Sequence, residues 1–144
     1  MYGRVAWTWL PVAEFTGVRS SNIPGFGSVS VSGTRLPYTP EQTVTTTLGY
    51  AHPAGLDLML ESQYVGEQFA DDLNTIASTA DGQRGLLPAM TLWNASVNYR
   101  LRRLPVTLFG TVKNLSQVTA IVDRTRGILP TAPRLIQLGA RVTF

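Results

Sequence analysis

An all-β fold follows from the sequence: an antiparallel up-and-down transmembrane β-barrel segment, about six strands of a larger barrel. Three observations point to it. First, the stretch from Arg134 to Phe144 separates by alternate residues into two unlike faces. Ile136, Leu138, Ala140, Val142 and Phe144 are apolar, while Leu135, Gln137, Gly139, Arg141 and Thr143 are mostly small or polar. A period of two is the mark of a strand with one side in oil and the other in water, and about 9–11 residues is the length a tilted strand needs to cross a bilayer. Second, the same alternation recurs upstream. Third, the connections between these stretches alternate between long and short.

Taken in order, the first strand is expected from about Arg4 to Phe15, with Val5, Trp7 and Trp9 on one face. The opening stretch has an early Arg4 and an apolar run, as a signal peptide has. Pro11, two tryptophans and the lack of a small-x-small cleavage site favour the strand. Gly17 to Pro40 is rich in Ser, Gly and Pro and reads as a long loop, in which Ser28 to Ser32 extends a strand or forms a small hairpin. The second strand, Thr43 to His52, sets Val44, Thr46, Leu48 and Tyr50 against Thr45, Thr47 and Gly49; Pro53-Ala54-Gly55 then makes a tight turn. The third, Leu56 to Phe69, sets Leu56, Leu58, Leu60 and Tyr64 against Asp57, Glu61, Gln63 and Glu67. Three carboxylates on one side suit a wet lumen and not a dry core.

Ala70 to Pro88 is the second long loop. The fourth strand, Ala89 to Leu101, turns Trp93, Ala95, Val97, Tyr99 and Leu101 outward and Asn94, Ser96, Asn98 and Arg100 inward. Arg102-Arg103-Leu104 is a short turn. The fifth strand, Pro105 to Leu115, sets Val106, Leu108, Gly110 and Val112 against Thr107, Phe109, Thr111 and Lys113; Ser116 to Pro133 is the third long loop. With the carboxyl terminus periplasmic, all three long loops fall outside and both tight turns inside, which is the rule for such barrels. Tyr50 and Tyr99 fall near the inner strand ends and Trp93 near the outer end, at headgroup level.

Composition agrees without deciding. The hydrophobic fraction of 44% and mean hydropathy of +0.06 are those of a soluble chain or of a barrel whose lumen face is polar. No apolar run approaches the roughly 18 residues of a membrane helix. Eleven arginines and a single lysine are dispersed, so no nucleic-acid footprint forms. With no cysteine there is no disulfide scaffold or thiolate metal site. His52 is the single histidine and abuts a turn, and Ser78 and Ser116 have no base in sequence range, so neither a metal site, a cofactor nor an enzyme is indicated.

Four segments resemble TonB-dependent outer-membrane receptors in their carboxyl-terminal barrel. They are Leu36-Pro37-Tyr38-Thr39-Pro40-Glu41; Gln68 to Thr75 with Ala80-Asp81-Gly82 and Gly85 to Pro88; Val112-Lys113-Asn114-Leu115 with Val122-Asp123-Arg124 and Gly127 to Arg134; and the last strand, ending in Phe144. The second and third look most like the ferric dicitrate branch. The resemblance implies a plugged barrel of about 22 strands in the bacterial outer membrane, surrounded by outer-membrane lipid. Its ligand would be a ferric chelate, a siderophore or ferric citrate, released inward when the TonB complex pulls on the plug. The sequence shows no plug, TonB box or signal sequence, so residues 1–144 resemble the last quarter of a receptor, as a truncated or split frame or a fragment.

Loop charges are the ligand-binding candidates: Asp71, Asp72 and Arg84 in the second long loop, Asp123, Arg124 and Arg126 in the third. Arginine forks suit the carboxylates of an anionic chelate. Asp57, Glu61 and Glu67 read instead as solvated lumen lining, balanced by Arg100, Lys113 and Arg141. Arg102 and Arg103 face periplasm and headgroups. Phe144 resembles the terminal aromatic signal read by the barrel-assembly machinery. The competing reading is a soluble β-sandwich binding or adhesion module, whose apolar faces would stack on each other. An outer-membrane barrel enzyme ranks last, for want of a nucleophile–base pair.

Overall fold

The structure, a computed structural model, describes residues 1–23 and 27–144. In chain order its strands are β1 (Tyr2–Trp9), β2 (Ser20–Ile23), β3 (Gly27–Ser30), β4 (Gln42–His52), β5 (Leu56–Val65), β6 (Gln68–Phe69), β7 (Leu86–Leu87), β8 (Met90–Arg100), β9 (Val106–Lys113), β10 (Ile121–Asp123), β11 (Leu129–Pro130) and β12 (Leu135–Val142). The six long ones form a single antiparallel sheet in the order β1-β4-β5-β8-β9-β12. Each long strand pairs with the next in the chain, so the topology is up-and-down and β1 and β12 are its edges. The short strands pair off as β2 with β3, β6 with β7 and β10 with β11, one pair inside each long loop or at its base.

Register decides which face each side chain takes. Leu48 faces Leu60, Leu60 faces Ala95, Ala95 faces Val112 and Val112 faces Ile136, an unbroken apolar row across five strands. The adjacent row on the other face runs Arg4, Thr47, Glu61, Asn94. The apolar row is not covered: Ile136 is 62% exposed, Leu138 83%, Val5 67% and Trp7 63%. No second sheet lies over that face among the described residues, so the sandwich arrangement is not found. An apolar face this broad has its place against hydrocarbon, where the hydrogen-bonded ladder satisfies the backbone internally.

Aromatic rings collect at both ends of the apolar face. Trp7 and Trp9 stack with centroids 6.3 Å apart at the loop end, and Trp9 Nε1 donates to Glu41 Oε1 at 3.1 Å. Tyr64 and Trp93 share that end, while Tyr50 and Tyr99 stand at the turn end. From Gln42, which faces Trp9, to Tyr50 is ~27 Å along β4 at about 3.4 Å per residue. A tilt of about 35–45° lowers that to ~20 Å of height, so the belts bracket most of a band ~25 Å tall.

Two expected strands are shorter than their hydrophobic pattern. β1 begins at Tyr2 and ends at Trp9 instead of running from Arg4 to Phe15. The last ladder bond is Leu10 N to Glu41 O; Pro11 has no N–H to continue it, and Glu14 pairs with Arg35 instead. The third strand ends at Val65, where Gly66 N makes the closing bond to Gln42 O. Gln68 and Phe69 then pair with Leu87 and Leu86. Glu67 therefore lies beyond the strand, and the lumen face of β5 keeps Asp57 and Glu61. The expected hairpin in the first long loop is β2–β3, and the loop's residues 24–26 lie outside those described.

Glycines matter at two close approaches. A side chain on Gly139 would meet the Phe109 ring, which lies flat over it and so fits a large aromatic on the polar face. Gly55 closes the Pro53 turn at φ +93°, and a Cβ there would stand 2.6 Å from Arg100 O. The two faces make a direct prediction. Ala95→Arg, on the apolar row, should lower unfolding stability in bilayers by roughly 2–4 kcal/mol, while Ser96→Arg, one residue on and facing the lumen, should cost under about 1 kcal/mol. Denaturant titration of the two bilayer-embedded variants checks the pair.

Candidate functional site

The packed interior of this chain is not in the sheet but in its loops. Among the described residues the fully buried large side chains are Val31 and Leu87, both in the long connections. A surface loop with this much polar backbone needs partners for it, and side chains of the loops themselves supply them.

The first loop is fixed by Arg35. Its Nε donates to Thr39 O at 2.7 Å, Nη2 to Leu10 O at 2.6 Å and Nη1 to Pro11 O at 3.3 Å. Its backbone is then read by the second loop: Arg35 N donates to Asn74 Oδ1 at 2.7 Å and Asn74 Nδ2 donates to Arg35 O at 2.8 Å. The amide side chain thus stands in for a neighbouring strand. Thr34 Oγ1 adds a bond to Asp72 O at 2.7 Å. Asn74 is held at φ +53°, a conformation asparagine tolerates, because Asp71 Oδ1 takes bonds from Leu73 N at 3.0 Å and Thr75 Oγ1 at 2.9 Å.

Asn114 anchors the third loop at both ends. It is buried at φ +50°, its Nδ2 donates to Val118 O and to Ala132 O, and its Oδ1 accepts Val118 N, all at 2.9 Å. Its own amide donates to Asn94 Oδ1 at 3.1 Å, and Asn94 Nδ2 donates to Glu61 Oε1 at 3.1 Å. The loop is thereby tied to the lumen face of the sheet.

Tyr38 and Arg124 join the three loops into one cap. Tyr38 N donates to Phe69 O at 2.9 Å, its hydroxyl donates to Asp123 Oδ1 at 2.9 Å, and Arg124 N donates to the same hydroxyl at 3.1 Å. Arg124 is 2% exposed; Nη1 donates to Gly82 O at 3.1 Å and Nη2 to Ser78 Oγ at 2.9 Å. Its two terminal nitrogens are therefore committed to the second loop, while Nε is buried without a hydrogen bond. Asp123 also accepts from Thr125 N at 2.7 Å and Thr125 Oγ1 at 2.6 Å. The Thr125 hydroxyl, then its amide, then Tyr38 pull the carboxyl from its ordinary 3.8 down to about 2. Asp81 is lowered in the same manner, by the Thr79 hydroxyl first.

Of the six loop charges singled out from sequence, the structure draws Asp71, Asp123 and Arg124 into the cap's own bonding. Asp72 is half-buried and contributes its carbonyl. Arg84 is half-buried beside Thr79, whose hydroxyl accepts the Arg84 amide at 3.1 Å. Arg126 is exposed and lines a hollow of about 500 Å3 with Asp123, Thr125, Gly127, Ile128 and Leu129. Tyr38, Asn74 and Asn114 were not picked out as site residues. Each lies in a segment that carries the family resemblance, but its role depends on partners that local sequence does not show: Tyr38 and Asn74 act on other loops, and Asn114 joins the two ends of its own. His52 and Ser78 stand at opposite ends of the sheet, so no nucleophile and base meet there.

Six antiparallel strands with one bare apolar face and a loop cap at one end suit a membrane barrel wall. The β-barrel model of the TonB-dependent receptor-like family matches residues 2–115. The chain belongs to that family. As a TonB-dependent receptor chain it resides in the bacterial outer membrane, in a family of transporters and not of enzymes. Solved structures agree in fold. The ferric citrate transporter FecA in its unliganded form is 30% identical with a TM-score of 0.67, over 76% of this chain and 18% of FecA. The siderophore receptor PiuA from Acinetobacter baumannii is 19% identical with a TM-score of 0.75, over 96% of this chain and 18% of PiuA. The ferric-catecholate import receptor Fiu from E. coli K12, in its closed form, is 20% identical with a TM-score of 0.68, over 99% and 19%. This receptor chain thus spans about a fifth of the length of those proteins.

Two measurements test the cap. Asn114→Ala removes the bonds to residues 118 and 132 and places alanine at a positive φ, so cleavage within residues 118–132 by added protease should rise roughly tenfold or more. Because the Asp123 carboxyl is depressed, its stabilising bond to Tyr38 is fully present above about pH 4 and is lost as pH falls through about 2. Hydrogen exchange at Arg124 and Thr125 should stay slow from pH 7 to pH 4 and quicken only below pH 3.

Proposed function

We propose that this chain forms barrel wall and external loops of an outer-membrane receptor that takes up an anionic ferric chelate, of the siderophore or ferric citrate type. The observation that carries the reading is the cap: three long loops at one end of the sheet, locked together through Tyr38 and Arg124. A cap so fixed can present charge to a ligand without ordering cost at each encounter. The likeness to FecA, described as a ferric citrate transporter, and to two receptors described as siderophore and ferric-catecholate receptors supports the chelate class.

In this reading Arg126 and Arg84 meet the chelate's carboxylate or catecholate oxygens. Asp71, Asp72, Asp123 and Arg124 hold the loops in place. Release inward belongs to a plug domain driven by the TonB complex, with which this wall would act in one receptor. Insertion would use Phe144 as the signal for the barrel-assembly machinery, and outer-membrane lipid would bathe the apolar face.

The test is equilibrium binding by intrinsic fluorescence quenching of the bilayer-embedded receptor with ferric citrate and with a ferric catecholate. One of the two should bind, and Arg126→Glu should weaken it about tenfold or more while a neutral chelate is unaffected. Binding of neither anionic chelate, with the loops intact by proteolysis, would end this proposal.

A further inference from the structure

Charge is unevenly placed along the barrel axis. At the turn end Arg100, Arg102, Arg103 and Arg141 are opposed by Asp57 alone. Arg4 and Glu61 flank Thr47 in mid-sheet, and the remaining acidic and basic residues lie at the loop end in equal numbers. The whole formal net charge of +3 therefore sits at the turn end.

Two hollows adjoin there. An apolar groove of about 450 Å3 runs over the bare face from the Leu48, Leu60, Ala95 and Ile136 row in mid-sheet toward Tyr50 and Leu58 on the turn side, with Gly110 at its floor. A Cβ on Gly110 would stand 3.1 Å from Leu138 and 3.2 Å from Val97, so any larger residue would fill the floor. A polar hollow of about 540 Å3 lies between the two turns, lined by His52, Arg100 and Arg102 with the Pro53 turn. The Tyr50 ring of the groove and the His52 ring of the hollow have centroids 6.0 Å apart. His52 Nδ1 accepts the Ala54 amide at 3.1 Å, which leaves Nε2 as its donor. Arg102 Nη2 donates to Pro53 O at 3.2 Å and is so held at the rim.

A hydrocarbon groove running into a cationic hollow matches a molecule with a chain at one end and a negative phosphate at the other. We propose that the turn end binds one anionic phospholipid of the periplasmic leaflet, phosphate in the hollow at His52 and Arg102, with Arg103 next to them on the same turn, and an acyl chain in the Gly110 groove. A zwitterionic phospholipid offers the same chain but no net charge to meet the surplus of +3. A free phosphate has no use for the groove. The site rests on the reading that the sheet spans the outer membrane with its turns toward the periplasm.

The experiment is native mass spectrometry of the detergent-solubilised receptor, delipidated and then offered equimolar phosphatidylglycerol and phosphatidylethanolamine of the same chains. Phosphatidylglycerol adducts should be retained about tenfold over phosphatidylethanolamine, and R102S/R103S should abolish the preference. Leu58→Trp, which fills the groove with both arginines in place, should lower retention of both lipids; it decides the matter if the serine pair does not fold. Glycerol phosphate in excess should displace nothing. Equal retention of the two lipids by the unaltered protein, an undiminished preference in R102S/R103S, or displacement by glycerol phosphate overturns the site. Arg103→Cys separates this from failure of the membrane orientation, since the chain has no other cysteine. Labelling of that thiol on intact cells by an impermeant reagent would refute the orientation itself, whereas protection with no lipid preference refutes the lipid site alone.

Discussion

The constraint behind this structure is that backbone amides in hydrocarbon have no water to bond to. Each strand must then be paired along its length, and side chains sort by face and not by depth in a core. The ladder from β1 to β12 meets that demand for every long strand on its inner sides, and it leaves the outer sides of β1 and β12 as the two places where pairing stops. Everything else is arranged around this sheet. The apolar row through Leu60 and Ala95 remains bare among the described residues, while on the polar row Asn94 bonds sideways to Glu61 and onward to the third loop, and the buried Thr47 hydroxyl finds no partner.

The loops solve the opposite problem. They stand in water with long stretches of irregular backbone, and here that backbone is captured by a few polar side chains. Asn74 imitates a strand edge toward Arg35, Asn114 clasps both ends of its loop, and Arg124 crosses to the second loop from the third. A single hydroxyl, that of Tyr38, donates to one of these loops and accepts from it. The result is a cap whose few charges left outward, Arg126 foremost, sit on a fixed support. The two ends of the sheet are thus unlike in kind: a charge-balanced, knitted cap at one and a short, arginine-rich rim at the other.

The sheet was legible in the sequence. Strand number, the face of nearly every strand residue, the two tight turns and the belt positions of Tyr50, Tyr99 and Trp93 all follow from a period of two and from turn residues, which are local properties of the chain. Local signals also misled at two ends: the apolar pattern ran past Trp9 and past Val65, but Pro11 and Gly66 ended the ladder there. Tertiary structure alone decided the work of the loop residues. Arg124 reads in sequence as a ligand-binding charge and is in fact buried against Ser78 and Gly82, while Tyr38 and Asn74 read as loop residues and Asn114 as the end of the fifth strand, and all three hold the cap together. Apart from Asp71 beside Asn74 and Val118 beside Asn114, their partners lie 18 to 86 positions away in the chain, and a contact of that span exists only once the strands have fixed where each loop begins and ends.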